Sequence, residues 1–213
     1  MNGAVYLVAS GQDRLLPQIA KRAYGALAKV RARVAVTYAP VAGDGAGLRF
    51  MSERMPRLFP DAVFETIDDD ASAVGRADLV FVTGGDPTLG AKVLEGTGVS
   101  ARLREANSRG LPIMGVSAGA IALGQWWVDW PTDGDADENL ERTSLVRCTG
   151  VVPGYVFDTH NEEDDWDELR VAARLARRRG DPCRFLGIPT GGALVFREDG
   201  AIDVVGRPPF QLA

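Results

Sequence analysis

The chain reads as an α/β protein: a mostly parallel central sheet covered by helices on both faces, in three layers. Two observations carry this. Short runs of β-branched and aliphatic residues alternate along the sequence with longer segments whose apolar residues recur at helical spacing. The length of 213 residues, 46% of them hydrophobic, is enough to bury the core of such a domain without disulfides or metals. Strand–helix alternation of this kind implies right-handed crossovers between parallel strands.

Each element follows from its own pattern. Residues 4–10 (AVYLVAS) are a continuous apolar run of strand length. Residues 15–29 set Leu15, Leu16, Ile19, Ala20, Ala23 and Leu27 on one helical face. Residues 33–40 (RVAVTYAP) read as a second strand, 43–47 as a Gly-rich loop, 48–58 as a helix and 62–67 (AVFETI) as a third strand. Residues 78–83 (DLVFVT) are a fourth strand, stopped by Gly84-Gly85. Residues 90–109 are helical, with a break near Gly96 to Gly98. Residues 111–116 are a fifth strand, and the small residues of 118–125 open a helix directly behind it. Residues 126–142 read as one long irregular stretch, and loops of that length in a compact domain are usually functional. Residues 164–179 form the clearest late helix. Residues 184–188, 194–197 and 202–205 close the sheet, the last two joined by a tight Glu198-Asp199-Gly200 turn. Neither a repeat nor a linker divides the chain, so residues 1–213 are expected to form a single domain.

Composition excludes several classes. A sequence pI near 5.0 argues against nucleic acid as a partner, because phosphate contacts need a positive footprint. Cys148 and Cys183 give neither a disulfide framework nor zinc spacing. The first residues lack a basic region and a long apolar run, and a membrane-spanning stretch is not seen, so the expected location is cytoplasmic, with no membrane partner. Between Asp129 and Glu168 thirteen acids face only Arg142 and Arg147, which makes one strongly acidic region.

The chemistry-bearing residues cluster in three motifs. The first is Gly115-Val116-Ser117-Ala118-Gly119, a G-x-S-x-G pattern between a strand and a helix. A nucleophile on that sharp turn needs small neighbours two residues to either side. The N–H of Ala118 at the helix start is then available as an oxyanion donor. The second is Thr83-Gly84-Gly85-Asp86-Pro87 at a strand's C-terminal end, where α/β sheets bind ligands; Gly85 or Asp86 could supply the second oxyanion N–H. A dinucleotide site is disfavoured, since no G-x-G-x-x-G follows a strand. The third is Phe157-Asp158-Thr159-His160-Asn161. His160 is the only histidine, 43 residues after Ser117, and is the one candidate base for that serine.

Together GVSAGA, TGGD and FDTH resemble the peptidase E and cyanophycinase family of serine peptidases. Its fold is that of the class I glutamine amidotransferases, a flavodoxin-like three-layer αβα sandwich. A glutamine amidotransferase proper would carry cysteine where this chain has Ser117. The resemblance implies acyl transfer, with Ser117 as nucleophile and His160 as base, and with an acid after the elbow completing a triad. Asp135 is the first choice for that acid, with Asp133 and Asp158 as alternatives; Asp158 and His160 would share a strand face at i and i+2. Where other members carry a Glu in a late loop, this chain has Thr190.

The expected activity is hydrolysis of short peptides, without metal or other cofactor, by a monomer or homodimer. Substrate contacts are expected from Trp127, in the tryptophan-rich stretch after the elbow, and from Asp158, Thr159 and Glu162 around the histidine. Family members carry Arg soon after the histidine to recognise an aspartyl side chain. Here Asn161-Glu162-Glu163-Asp164-Asp165 follows instead, and the first Arg is Arg170. The acids would repel a carboxylate and attract a free amine or basic side chain, so strict Asp-X specificity is not expected. Two other readings fit the same residues: a non-catalytic ligand-binding member of the fold, and a cyanophycinase or isoaspartyl-type peptidase.

Overall fold

The computed structural model describes residues 2–29, 31–37, 53–67, 71–131 and 142–212. At its centre, β1 (Val5–Val8) is buried along its whole length. It is paired in parallel with β5 (Ile113–Val116) and antiparallel with β10 (Gly192–Phe196). From β5 the sheet continues in parallel through β4 (Leu79–Val82), β2 (Arg33–Thr37) and β3 (Val63–Ile67). On the other side β11 (Ile202–Gly206) adds antiparallel to β10, giving the order β11-β10-β1-β5-β4-β2-β3. Five parallel strands and a two-stranded antiparallel extension thus make up the expected, mostly parallel sheet.

Alternation along the strands sorts the core into two layers. Tyr6 and Val8 of β1 pack with Leu16, Ile19, Ala20 and Ala23 of α1 (Leu16–Gly25) and with Met55 and Leu58 of α2 (Met55–Leu58). Val5 and Leu7 face the opposite side. There they meet α3 (Ser72–Arg76), α4 (Pro87–Gly96), α5 (Val99–Ser108) and α6 (Ala118–Ala122). A sheet with helices on both faces is the expected αβα sandwich.

The break between α4 and α5 is at Gly98, whose φ of 76° lies in the left-handed region. Helix α4 begins at Pro87, three residues before its apolar pattern does. Asp86 caps it, accepting the N–H of Leu89 at 2.8 Å.

Three features depart from the sequence reading. Residues 126–142 are not irregular at their start: β6 (Trp126–Asp129) pairs antiparallel with an unforeseen strand just beyond them, β7 (Ser144–Arg147). A second small sheet, ordered β12-β9-β8, joins β8 (Tyr155–Thr159) and β9 (Arg184–Ile188) in parallel and adds β12 (Phe210–Leu212) as an unforeseen edge. Helix α3 is also unforeseen; five residues are too few for a periodic signal. A third apolar cluster under α7 (Asp167–Arg179) ties it to both small sheets through Val128, Leu145, Val156 and Phe185. The Gly-rich loop expected at 43–47 lies outside the described residues. Both cysteines are free. Among the described residues no helix is long and apolar enough to cross a membrane.

Candidate active site

Ser117 stands at the C-terminal end of β5 with φ 53° and ψ −127°, a strained conformation for a residue with a side chain. Such a conformation costs about 1–3 kcal/mol and must be held from outside. The Ser117 N–H is bound to the carbonyl of Val8 at 3.0 Å, at the end of β1. The two glycines of the motif make the rest possible. A Cβ on Gly119 would lie 2.2 Å from the Val82 carbonyl, so only glycine lets α6 press against the end of β4. A Cβ on Gly115 would in turn lie 2.6 Å from the Gly119 carbonyl. Ala118, as the first residue of α6, has an N–H without an intrahelical acceptor.

His160 arrives on β8. Gln125, just past α6, donates its N–H to Tyr155 at the start of that strand (2.8 Å). The strand then runs back along the helix for ~16 Å, at ~3.3 Å per residue. This brings His160 over Ser117, with Oγ to Nε2 at 2.9 Å. For Nε2 to accept the serine proton, the neutral ring must carry its hydrogen on Nδ1. The His160 N–H is held by the carbonyl of Ile188 at 2.9 Å, and its φ of 46° places it in the left-handed region. Ser117 is half-buried and His160 is exposed, so the pair is reachable from solvent.

The TGGD segment lies alongside. A Cβ on Gly84 would be 3.3 Å from Ser117 Cβ and 3.7 Å from Oγ, so the backbone leading into Gly85 borders the nucleophile. Asp86 spends one carboxylate oxygen, Oδ1, on the α4 cap.

Four expected site residues are placed otherwise. Trp127 is 2% exposed and packs against Ala91, Ile121 and Cys148; it is a core residue, not a cleft wall, because β6 pairs with β7 and turns its indole inward. Asp158 is 1% exposed. It accepts the Thr159 N–H at 2.7 Å and the Asn161 side chain at 3.1 Å, with no hydrogen bond to His160. Thr159 is also buried, and its hydroxyl has no partner among the described residues. Glu162 lies two residues past His160, but its carboxylate binds the Thr190 N–H at 3.0 Å and Arg207 at 3.2 Å. Burial opposes its charge, yet those hydrogen bonds and the Arg207 guanidinium hold its pKa below the ordinary range. Asp133 and Asp135 lie outside the described residues. Among the described residues no side chain binds His160 Nδ1, and no group of three or more His, Cys, Asp or Glu is set to hold a metal.

Several neighbours of the site escape sequence reasoning. Arg207 reaches both Glu162 and the Thr190 carbonyl (3.1 Å). Buried Asp13 takes the Gly191 N–H at 2.6 Å and the Leu15 N–H at 2.8 Å. Asn161 gathers three carboxylates, those of Asp158, Asp167 and Glu168. The Arg207 contacts and the Asp13–Gly191 contact join distant positions, and no local pattern signals them; those of Asn161 are near in sequence but depend on the left-handed turn at His160. Within the carboxylate group, burial raises the Asp158 pKa to about 6, against the pull of Asn161 and the Thr159 N–H. Burial and then the charges of Asp158, Asp167 and Asp164 raise that of Glu168 to about 7.

Known structures share this fold. A peptidase from an acI-B1 Actinobacterium superposes with a TM-score of 0.74 at 22% identity, over 100% of this chain and 95% of that one. A protein assigned as peptidase E from Listeria monocytogenes EGD-e does so with a TM-score of 0.61 at 13% identity, over 100% of both chains. At these identities the likeness is one of fold. No curated protein matches the chain. Peptidase family S51 matches residues 14–204, almost the whole sequence. The chain therefore belongs to peptidase family S51, the peptidase E family, and is a serine-type peptidase.

Proposed function

We propose that the protein hydrolyses short peptides through an acyl-enzyme formed on Ser117. The observation that carries this is the 2.9 Å contact of Ser117 Oγ with His160 Nε2, made at a strained strand-to-helix turn. His160 takes the hydroxyl proton as Oγ attacks the scissile carbonyl. The tetrahedral oxyanion accepts the N–H of Ala118 and that of Gly85 or Asp86. His160 then protonates the leaving amine as the C–N bond breaks. Water, deprotonated by the same imidazole, hydrolyses the ester and returns Ser117. Asp135 is the proposed orienting acid for His160 Nδ1, since Asp158 is turned toward Asn161.

The surroundings favour peptides that do not present a carboxylate at this end of the sheet. Arg170, the first arginine after His160, is bound to Asp165, and Arg207 shares its guanidinium with Glu162. Among the described residues the acids Glu162 and Asp13 stand beside Arg207, and Arg54 is bound to the Gly11 carbonyl, so no arginine here is without an acceptor. Neutral residues, basic residues or a free amino group therefore fit better than strict Asp-X recognition.

The test is a panel of dipeptides and tripeptides, incubated with the wild type and with Ser117→Ala and read by mass. Turnover of neutral or basic peptides, lost in Ser117→Ala, is expected. Turnover surviving in that variant overturns the mechanism. Asp-X dipeptides cleaved much faster than the others overturn the specificity.

A further inference from the structure

The segment that presents His160 is held in an unusual backbone state. His160 (φ 46°), Asp165 (φ 50°) and Trp166 (φ 60°) are three non-glycine residues in the left-handed region within seven positions. Such conformations persist only where their surroundings over-determine them. Some of the constraint is plain. Ile188 binds the His160 N–H, the Asn161 carbonyl takes the Trp166 N–H at 3.1 Å, and the Trp166 indole sits on Gly187, where a Cβ would lie 2.4 Å from the ring.

Two further ties join strand and helix: the Asp158 carboxylate takes the Leu169 N–H of α7, and the side chain of Asn161 reaches both elements. Its Nδ2 faces Asp158 Oδ2 at 3.1 Å, Asp167 Oδ1 at 3.2 Å and Glu168 Oε2 at 3.1 Å. Asp158 is the next-to-last residue of β8, before the histidine; Asp167 and Glu168 open α7 after it. One amide thus joins the strand before His160 to the helix behind it. It is also the only side-chain donor at this cluster among the described residues. Without it the carboxylates keep only backbone donors, the Thr159 and Leu169 N–H groups at Asp158 and the Glu168 N–H at Asp167. The imidazole itself has no such support: its one hydrogen bond among the described residues is to Ser117.

We propose that Asn161 is a positioning residue: by binding Asp158, Asp167 and Glu168 together it holds the left-handed backbone of His160, and so keeps Nε2 on Ser117. This rests on the catalytic reading of the Ser117–His160 pair given above.

His160 is the only histidine in the chain, so ¹⁵N-histidine labelling yields ring signals from that residue alone. The spectra to compare are those of wild type, Ser117→Ala, Asn161→Ala and the two changes together. In the wild-type background Ser117→Ala is expected to shift the ring signals, because their hydrogen bond is lost. In the Asn161→Ala background the same change is expected to leave them in place. The rate of fluorophosphonate labelling of Ser117 should fall about 10- to 100-fold in Asn161→Ala. A merely structural role would lower the melting temperature without uncoupling the two side chains. Should Asn161→Ala fail to fold, Asn161→Ala/Glu168→Gln decides. The new amide at 168 can donate to Asp158 and Asp167 and removes one charge, but it does not tether residue 161. It is expected to fold as the wild type and remain uncoupled. Intact coupling and labelling in either folded variant overturns the proposal. If Ser117→Ala leaves the ring signals unmoved in the wild-type background, the catalytic pairing itself falls, and the proposal with it.

Discussion

Ser117 shows how tightly one residue's chemistry depends on atoms it never reacts with. Its strained backbone exists because Gly115 and Gly119 let α6 lie against the ends of β4 and β5. Gly119→Ala would drive a methyl into the Val82 carbonyl, 2.2 Å away, where backbone cannot yield. Loss of about 1–3 kcal/mol in a urea melt is expected from that overpacking, together with loss of fluorophosphonate labelling. Gly84→Ala makes a useful contrast. Its methyl would meet Ser117 Cβ at 3.3 Å, a contact small shifts can relieve, so stability should change less while labelling still slows. The elbow was legible in sequence because its constraints are local: two glycines and a serine at fixed spacing beside a strand. The role of Asp158 was not. The i, i+2 rule that puts Asp158 and His160 on one face holds only within a strand. Strand β8 ends at Thr159, and the left-handed turn at His160 sends its ring elsewhere.

Helix α7 opens with Asp167 and Glu168 and closes with Arg177, Arg178 and Arg179, which complements its dipole at both ends. That pattern and its apolar face made the helix readable, apart from its first turn. The raised acids at that turn make stability depend on pH. Folded Glu168 and Asp158 hold protons up to about 7 and about 6, whereas in the unfolded chain both titrate near their ordinary values of 4.5 and 3.8. Between those limits the folded state binds more protons, so their contribution is fully present below about pH 4 and is lost as pH rises through 6 to 7. Glu168→Gln removes the Glu168 part of this loss, while buried Asp158 keeps its own. The variant's melting temperature should exceed the wild type's at pH 8 by more than at pH 5, as read by paired thermal melts; an equal difference at both would refute the assignment. Hairpin β6–β7 and edge strand β12 were hidden for a different reason. Strands of three or four residues carry too little alternation to stand out, and their partners lie elsewhere in the chain.

Across the whole molecule, Trp127 marks the distance between composition and placement. Four tryptophans clustered after the elbow and the histidine suggested a cleft lining, yet this one fills the space between α4, α6 and β7. Trp127→Ala should therefore cost about 3–5 kcal/mol in denaturant melts, the usual range for a buried aromatic, while the folded fraction keeps the wild-type KM for any peptide it cleaves. A raised KM at full stability would return Trp127 to the cleft. The layered α/β architecture and the Ser117–His160 partnership could be read from the chain alone. Hydrophobic periodicity reports which face of each element is buried, and a nucleophile elbow and a lone histidine are identified by residue type. What surrounds that pair was settled by the tertiary structure. Glu162 meets Arg207 across 45 positions, and Asp13 meets Gly191 across 178, because β10 and β11 fold back beside β1 and bring their loops to the catalytic end of the sheet. Pairings of that range depend on strand order and crossing, and neither leaves a trace in the spacing of neighbouring residues.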